Sequence, residues 1–195
     1  MKRLVAVAVA LAVPAAALAQ STWNVDPAHT HSSFTIRHLV ISNVRGEFGK
    51  TTGTVKLDEK DVTKSSVEAT IETTTIDTRV ADRDNHLRSP DFFDVAKYPA
   101  ITFKSTRVEA AGEGKLKVTG NLTIKDVTRP VTVDFEYTGA AVDPFGNHRI
   151  GLEGTTTVNR KDWGVNWNAA LETGGVLVSE KVTLEFEVSA IRTDA

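Results

Sequence analysis

Lys115-Leu116-Lys117-Val118-Thr119-Gly120-Asn121-Leu122-Thr123-Ile124, followed at residues 130–137 by Pro130-Val131-Thr132-Val133-Asp134-Phe135-Glu136-Tyr137, alternates polar and apolar side chains with a period of two. A β-strand sends successive side chains to opposite faces, so the rhythm describes two strands, each with one apolar and one polar face. Leu116, Val118, Leu122 and Ile124 share a parity with Gly120, while Val131, Val133, Phe135 and Tyr137 share theirs. The break between them predicts a turn over residues 126–129, with Pro130 opening the second strand, where a missing N–H is tolerated. Together they form a hairpin.

The same alternation extends outward from this hairpin. Downstream, Asp143-Pro144-Phe145-Gly146-Asn147 is a turn, after which Ile150, Leu152, Thr156 and Val158 alternate with polar or small residues. The last strand is the most regular, with Val182, Leu184, Phe186, Val188 and Ala190 on one face. Upstream, Val67, Ala69 and Ile71 oppose Glu68, Thr70 and Glu72, and shorter strands are expected at 23–25, 32–37, 44–48, 52–57 and 101–108. Threonine and valine supply 45 of the 176 residues from Gln20 onward, a β-branched bias that suits pleated strands. One stretch departs: residues 81–87 lack alternation, carry Asp84 and Arg88 four apart, and stop before Pro90, which predicts a short helix capping one end. Eight to ten antiparallel strands in a single domain leave a sandwich or a closed barrel, and an eight-stranded barrel either fills its interior or holds one small ligand.

The first residues read differently. Met1-Lys2-Arg3, an apolar run from Leu4 and the small-residue ending Ala17-Leu18-Ala19 have the form of a secretory signal peptide, with cleavage expected after Ala19 and a mature domain over 20–195. Loss of Lys2 and Arg3 leaves 21 basic against 25 acidic side chains. With no run of like charge and no basic face interleaved with aromatics, nucleic acid and anionic membrane are not expected partners, nor is stable membrane insertion. The chain contains no cysteine, which excludes disulfides, thiol catalysis and thiolate metal sites.

Chemistry-bearing motifs are sparse. Of His29, His31, His38, His86 and His148, the first two could share a strand face, but no further ligand stands at a recognisable zinc spacing, so no metal site is expected. Nucleophile elbows, phosphate loops and dinucleotide fingerprints are absent, and no catalytic residue is assigned. The densest polar cluster holds Asp77, Arg79, Asp82, Arg83, Asp84, His86, Arg88, Asp91 and Asp94 around Phe92 and Phe93. It could grip a polar head group at a barrel mouth, or pin the cap to the wall. Trp163 and Trp167 could likewise greet an amphiphile or plug the barrel end. Gly120, Gly154 and Ala69, in the inward parity, either let strands bend tightly or leave a tunnel, and pattern alone serves a filled core and a ligand-sized cavity equally well.

Four segments resemble one family. They are Trp23-Asn24-Val25-Asp26-Pro27-Ala28-His29-Thr30-His31-Ser32-Ser33-Phe34 with Ile36-Arg37-His38-Leu39; Ile76-Asp77-Thr78 through Arg83-Asp84-Asn85-His86-Leu87-Arg88-Ser89-Pro90-Asp91-Phe92-Phe93-Asp94; Val118-Thr119-Gly120-Asn121-Leu122-Thr123-Ile124; and Asn159-Arg160-Lys161-Asp162-Trp163-Gly164. In this order they are similar to the YceI-like proteins, across residues 23–191. The resemblance implies a lipocalin-like antiparallel β-barrel, a homodimer in the periplasm, and an apolar tunnel for a polyisoprenoid or another long-chain lipid; a quinone or fatty amide would suit equally, with no other cofactor. Parity on such a barrel sends Phe34, Ile36, Val67, Ile71, Phe103, Val118, Leu122, Ile124, Val133, Phe135, Leu152, Leu184 and Phe186 inward as expected tunnel lining. Arg83, His86, Asp91, Phe92 and Trp163 are expected at its mouth. The function expected is binding or carriage of such a lipid. The alternatives are an enzyme using the His86 cluster or the His29/His31 pair on the same lipid, and a structural or stress protein with a filled barrel.

Overall fold

A computed structural model describes residues 20–171 and 175–194; the expected leader, residues 1–19, lies outside them. Eleven strand segments follow in order: β1 (Gln20–Val25), β2 (His31–His38), β3 (Ser42–Phe48), β4 (Thr51–Asp58), β5 (Ser66–Glu72), β6 (Ile76–Asp77), β7 (Ala100–Ala110), β8 (Lys115–Ile124), β9 (Val127–Val142), β10 (His148–Asn159) and β11 (Val178–Arg192). One helix, α1 (Ala81–Arg88), lies between β6 and β7.

The registers reduce these segments to eight barrel strands. β1 and β2 are two halves of one strand interrupted by the 3-10 turn Pro27–His29, and they pair with β4 and β3 respectively. β3 and β4 are likewise two halves, as are β5 and β6, which pair with β4 and β3. From there β5–β7, β7–β8, β8–β9, β9–β10 and β10–β11 pair in sequence, all antiparallel. β11 closes the ring by pairing with β2 along residues 182–187 and with β1 along 190–192. A closed, up-and-down, eight-stranded antiparallel barrel results.

The sequence-derived hairpin needs one correction. The β8–β9 turn is only Lys125-Asp126, with Lys125 at φ 57°, and β9 begins at Val127, so Pro130 sits inside the strand opposite Asn121. This is tolerated because β10 pairs with β9 only from Asp134 onward, which leaves the first half of β9 with a single neighbour. The helix forms where alternation fails, but the expected Asp84–Arg88 contact does not. Asp84 accepts from the Thr78 N–H (2.8 Å) and hydroxyl, while Arg88 Nε donates to the Thr74 carbonyl at 3.0 Å and Nη2 to that of Ile76. Buried or backbone-directed partners outbid a weak surface pair.

The closing seam is clasped by charge. Arg149 Nη1 reaches Asp26 at 2.7 Å and its Nε reaches Asp143 at 2.8 Å. Hydrogen bonding to Arg149 holds the Asp26 carboxyl down at about 2 and drives Asp143 lower still. Two motifs of the resemblance serve local geometry here. The Asp26 side chain caps the turn before β2, accepting from Ala28 N at 3.0 Å, and Asn159 caps the turn Arg160–Trp163, which ends on Gly164 at a left-handed φ of 71°.

Candidate functional site: a two-lobed apolar lumen

Inward parity along eight strands yields an apolar interior, and the barrel does not fill it. Two lobes of about 490 and 500 Å³ lie along the axis. Both lie within the range of roughly 300–1,000 Å³ usual for small-molecule sites. Ser32, Ile71, Ile101, Leu122, Leu184 and Phe186 border both lobes and form the waist between them. The far lobe runs toward residues 59–65 and 110–115 and is walled almost wholly by strands. The cap lobe opens under α1 and the segment after β10, and it includes Asp82, Arg83, His86, Phe92, Arg160 and Trp167.

The inward glycines do not stand over empty space. A side-chain carbon on Gly46, Gly120 or Gly154 would collide with the ring of Phe34, Phe103 or Phe135. Each ring therefore lies down against the wall over a glycine instead of standing up into the lumen. Where three large aromatics might have plugged the barrel, they line it. Phe135 stacks near Phe186 (centroids 6.3 Å apart, planes 30° from parallel) on the same principle.

Polar bonds assemble the cap lobe. Buried Asp84 ties α1 to Thr78, and Arg83 donates to the Thr78 hydroxyl and carbonyl, both at 2.7 Å. The Arg160 guanidinium, itself buried, gathers the chain beyond it by donating to the carbonyls of Ser179 (2.9 Å), Val165 (2.7 Å) and Trp167 (2.8 Å). Its Nη2 has no hydrogen-bond partner among the described residues, and burial pushes the group below its ordinary value. His86 meets Phe92 and Trp167 edge-on at 5.0 and 4.8 Å between centroids, while its Nε2 lies 2.9 Å from Asp91. The Ser89 hydroxyl donates to the His86 backbone carbonyl at 2.7 Å, and the one side-chain partner of the imidazole among the described residues is Asp91.

The thirteen residues expected to line the tunnel all border one lobe or both. Of the five expected at the mouth, Arg83, His86 and Phe92 border the cap lobe. Asp91 does not; it stands outside and holds His86. Trp163 does not either. It is 2% exposed, and its Nε1 donates to the Leu122 carbonyl at 3.1 Å, which wedges the end of the barrel between the wall and the Arg160–Trp163 turn. His29 and His31 separate, toward Asp26 and Glu47, and no group of three potential metal ligands occurs among the described residues. Ile101, Val158 and Val182 belong to the lining and were findable by parity, whereas Arg160, Val165, Trp167 and Leu177 sit in irregular chain where no periodicity points.

A YceI-like domain model matches residues 23–190. A UPF0312 protein of Vibrio parahaemolyticus is 41% identical over 160 residues, 81% of this chain and 84% of the relative. The crystal structure of BcnA from Burkholderia cenocepacia superposes with a TM-score of 0.75 at 25% identity, covering 85% of this chain and 98% of that one. A polyisoprenoid binding domain from Saccharophagus degradans, at 12% identity, shares the fold (TM-score 0.66, covering 88% and 98%). Barrel, lumen and matched sequence converge: the chain belongs to the YceI-like family.

Proposed function

We propose that this protein binds a long-chain amphiphile, a polyisoprenoid or a comparable quinone or fatty lipid, and carries it through the periplasm as a homodimer released by cleavage after Ala19. The observation that carries the reading is the unfilled, mainly apolar interior, two lobes of about 490 and 500 Å³ that share six bordering residues. Each methylene buried there contributes about 0.8 kcal/mol, so chain length supplies affinity without any specific contact. The fifteen residues of β11 span about 50 Å along the strand and, at a barrel tilt near 40°, roughly 38 Å of height, which suits a long, thin guest. That a neighbour of the same fold is described as a polyisoprenoid binding domain supports the same class of ligand. The asymmetry of the lobes orients it. The tail belongs in the far lobe and the polar head in the cap lobe, near Arg83, His86 and Arg160.

Native mass spectrometry of freshly purified protein, followed by lipid extraction, tests the proposal. An apolar adduct is expected, and Leu122→Trp, which places an indole in the waist, should displace it while leaving the thermal unfolding midpoint nearly unchanged. Repeated preparations without adduct and without uptake of a polyprenyl probe would overturn the reading. A large loss of stability in Leu122→Trp would instead indicate a filled core.

A further inference from the structure

At the cap end the hairpin joining β2 to β3 projects past the rim. His38 and Val44 still border the cap lobe, while Leu39, Val40 and Ile41 extend beyond them. Val40 is 75% exposed and Ile41 80%. Leu39 and Val40 take φ values of 53° and 64°, and Ile41 N donates to the His38 carbonyl at 3.2 Å, which makes a type I′ turn. Asn-Gly fits such a turn, whereas a β-branched residue there is strained, so exposed Val40 is held in water at a conformational cost. Leu39 N donates to the Leu177 carbonyl, which brings exposed Val176 alongside, and exposed Val80 heads α1 beside the extension of β3.

The outward face behind this tip is graded in charge. Arg37 and Arg45 face outward on β2 and β3; Arg79 follows two residues after Asp77, which pairs with Glu47 of β3, and Lys181 precedes Val182, which pairs with Ile36 of β2. All four are exposed, and none is held in an ion pair among the described residues. The acids of this face, Glu47, Asp77 and Glu185, lie one step further from the rim. At the rim itself Glu180 is neutralised by Lys161 at 2.7 Å and Asp91 faces His86 at 2.9 Å, while Asp82 and Asp162 stand there without an ion pair among the described residues. The far end also exposes apolar side chains, Val142 and Phe145, but its cations are largely matched: Lys64 with Asp61, Arg107 with Glu109, and Arg192 with Glu59 and Asp194. Overall composition, which is acidic and gave no reason to expect an anionic membrane as partner, thus hides a local group of cations without ion pairs beside an aliphatic tip at one mouth.

We infer that the cap end docks reversibly on an anionic lipid surface, with Val40 and Ile41 entering the head-group layer and Arg37, Arg45, Arg79 and Lys181 facing its phosphates. Apolar insertion backed by basic residues is how peripheral proteins hold a membrane without crossing it, each cation contributing roughly fivefold in partitioning at low salt. Docking here aims the cap lobe at the bilayer and gives the proposed cargo a dry path between membrane and lumen. It draws its purpose from the carrier reading but is measured separately from it.

The test is co-sedimentation of the purified protein with vesicles of equal parts phosphatidylcholine and phosphatidylglycerol, against vesicles of phosphatidylcholine alone. Wild type should bind the anionic vesicles, and binding should fall as salt rises. The double variant Val40→Asp/Ile41→Asp should lose about tenfold or more, and Arg37→Gln/Arg45→Gln about twenty-fivefold at low salt together with about half of the salt dependence. Leu122→Trp, designed to displace the cargo, should still bind the anionic vesicles. Equal binding to both vesicle types, unchanged binding of the tip variant, or loss of binding in Leu122→Trp would each overturn docking. So would a doubled mass in sedimentation that the tip variant abolishes without any vesicle binding by wild type, since the tip would then be an interface between two copies.

Discussion

The two lobes of the lumen are nearly equal in volume and opposite in construction. Side chains projecting at fixed spacing from hydrogen-bonded strands wall the far lobe, so its shape follows from register. Strands wall the cap lobe on one side, and on the other α1 and the chain after β10 do, each held by a few polar bonds through Asp84, Arg83 and Arg160. Regular structure thus yields an apolar container that tolerates variation, while irregular structure supplies the polar groups and the capacity to let something in. Loosely held, polar-bonded segments open at lower free energy than the ladder around them.

The strongest way to break this comparison is at the joint between cap and wall. Trp163→Ala should cost about 3–5 kcal/mol in chemical denaturation, because the indole fills the barrel end and its N–H satisfies a strand carbonyl. A loss below about 1 kcal/mol would mean that the cap merely rests on the barrel. Asp84→Ala should cost about 1–3 kcal/mol by stranding the Thr78 amide, and hydrogen exchange should quicken around α1 while β8 and β9 stay protected. Uniform loss of protection would show the two lobes to be one cooperative unit. The smallest effect concerns the seam. Arg149 lowers the Asp26 and Asp143 carboxyls, so their contribution is full above the ordinary carboxylate range near pH 4 and is lost as pH falls through about 2. Arg149→Met should therefore raise the midpoint of acid unfolding toward pH 4 and leave the cap lobe's exchange pattern unaltered.

The same division decides what could be read in the sequence. Leu122, Phe135 and Leu184 announce themselves by parity, and once the strands close, parity alone sends them inward. Nothing in that pattern told a filled core from a lumen. The decision lay in pairs distant in the chain, Gly46 with Phe34 and Gly120 with Phe103, which let rings lie flat. Trp163 and Arg160 were visible as residues of a motif, but their roles depend on which carbonyls they reach, those of Leu122 and of residues 165–179, and such long-range partners leave no periodic trace. Pro130 misled because proline marks a strand boundary only where both neighbours pair, and here one does not.

The seam carries one more consequence. β11 meets β1 and β2, so the barrel's last strand in chain order pairs with its first. A meander of this kind is an open sheet, apolar on one face, until that final pairing forms, and such distant pairings are slow to form. The lumen has no inside on a partly made chain. Whatever occupies it is either enclosed as the seam closes or enters through an end of the finished barrel.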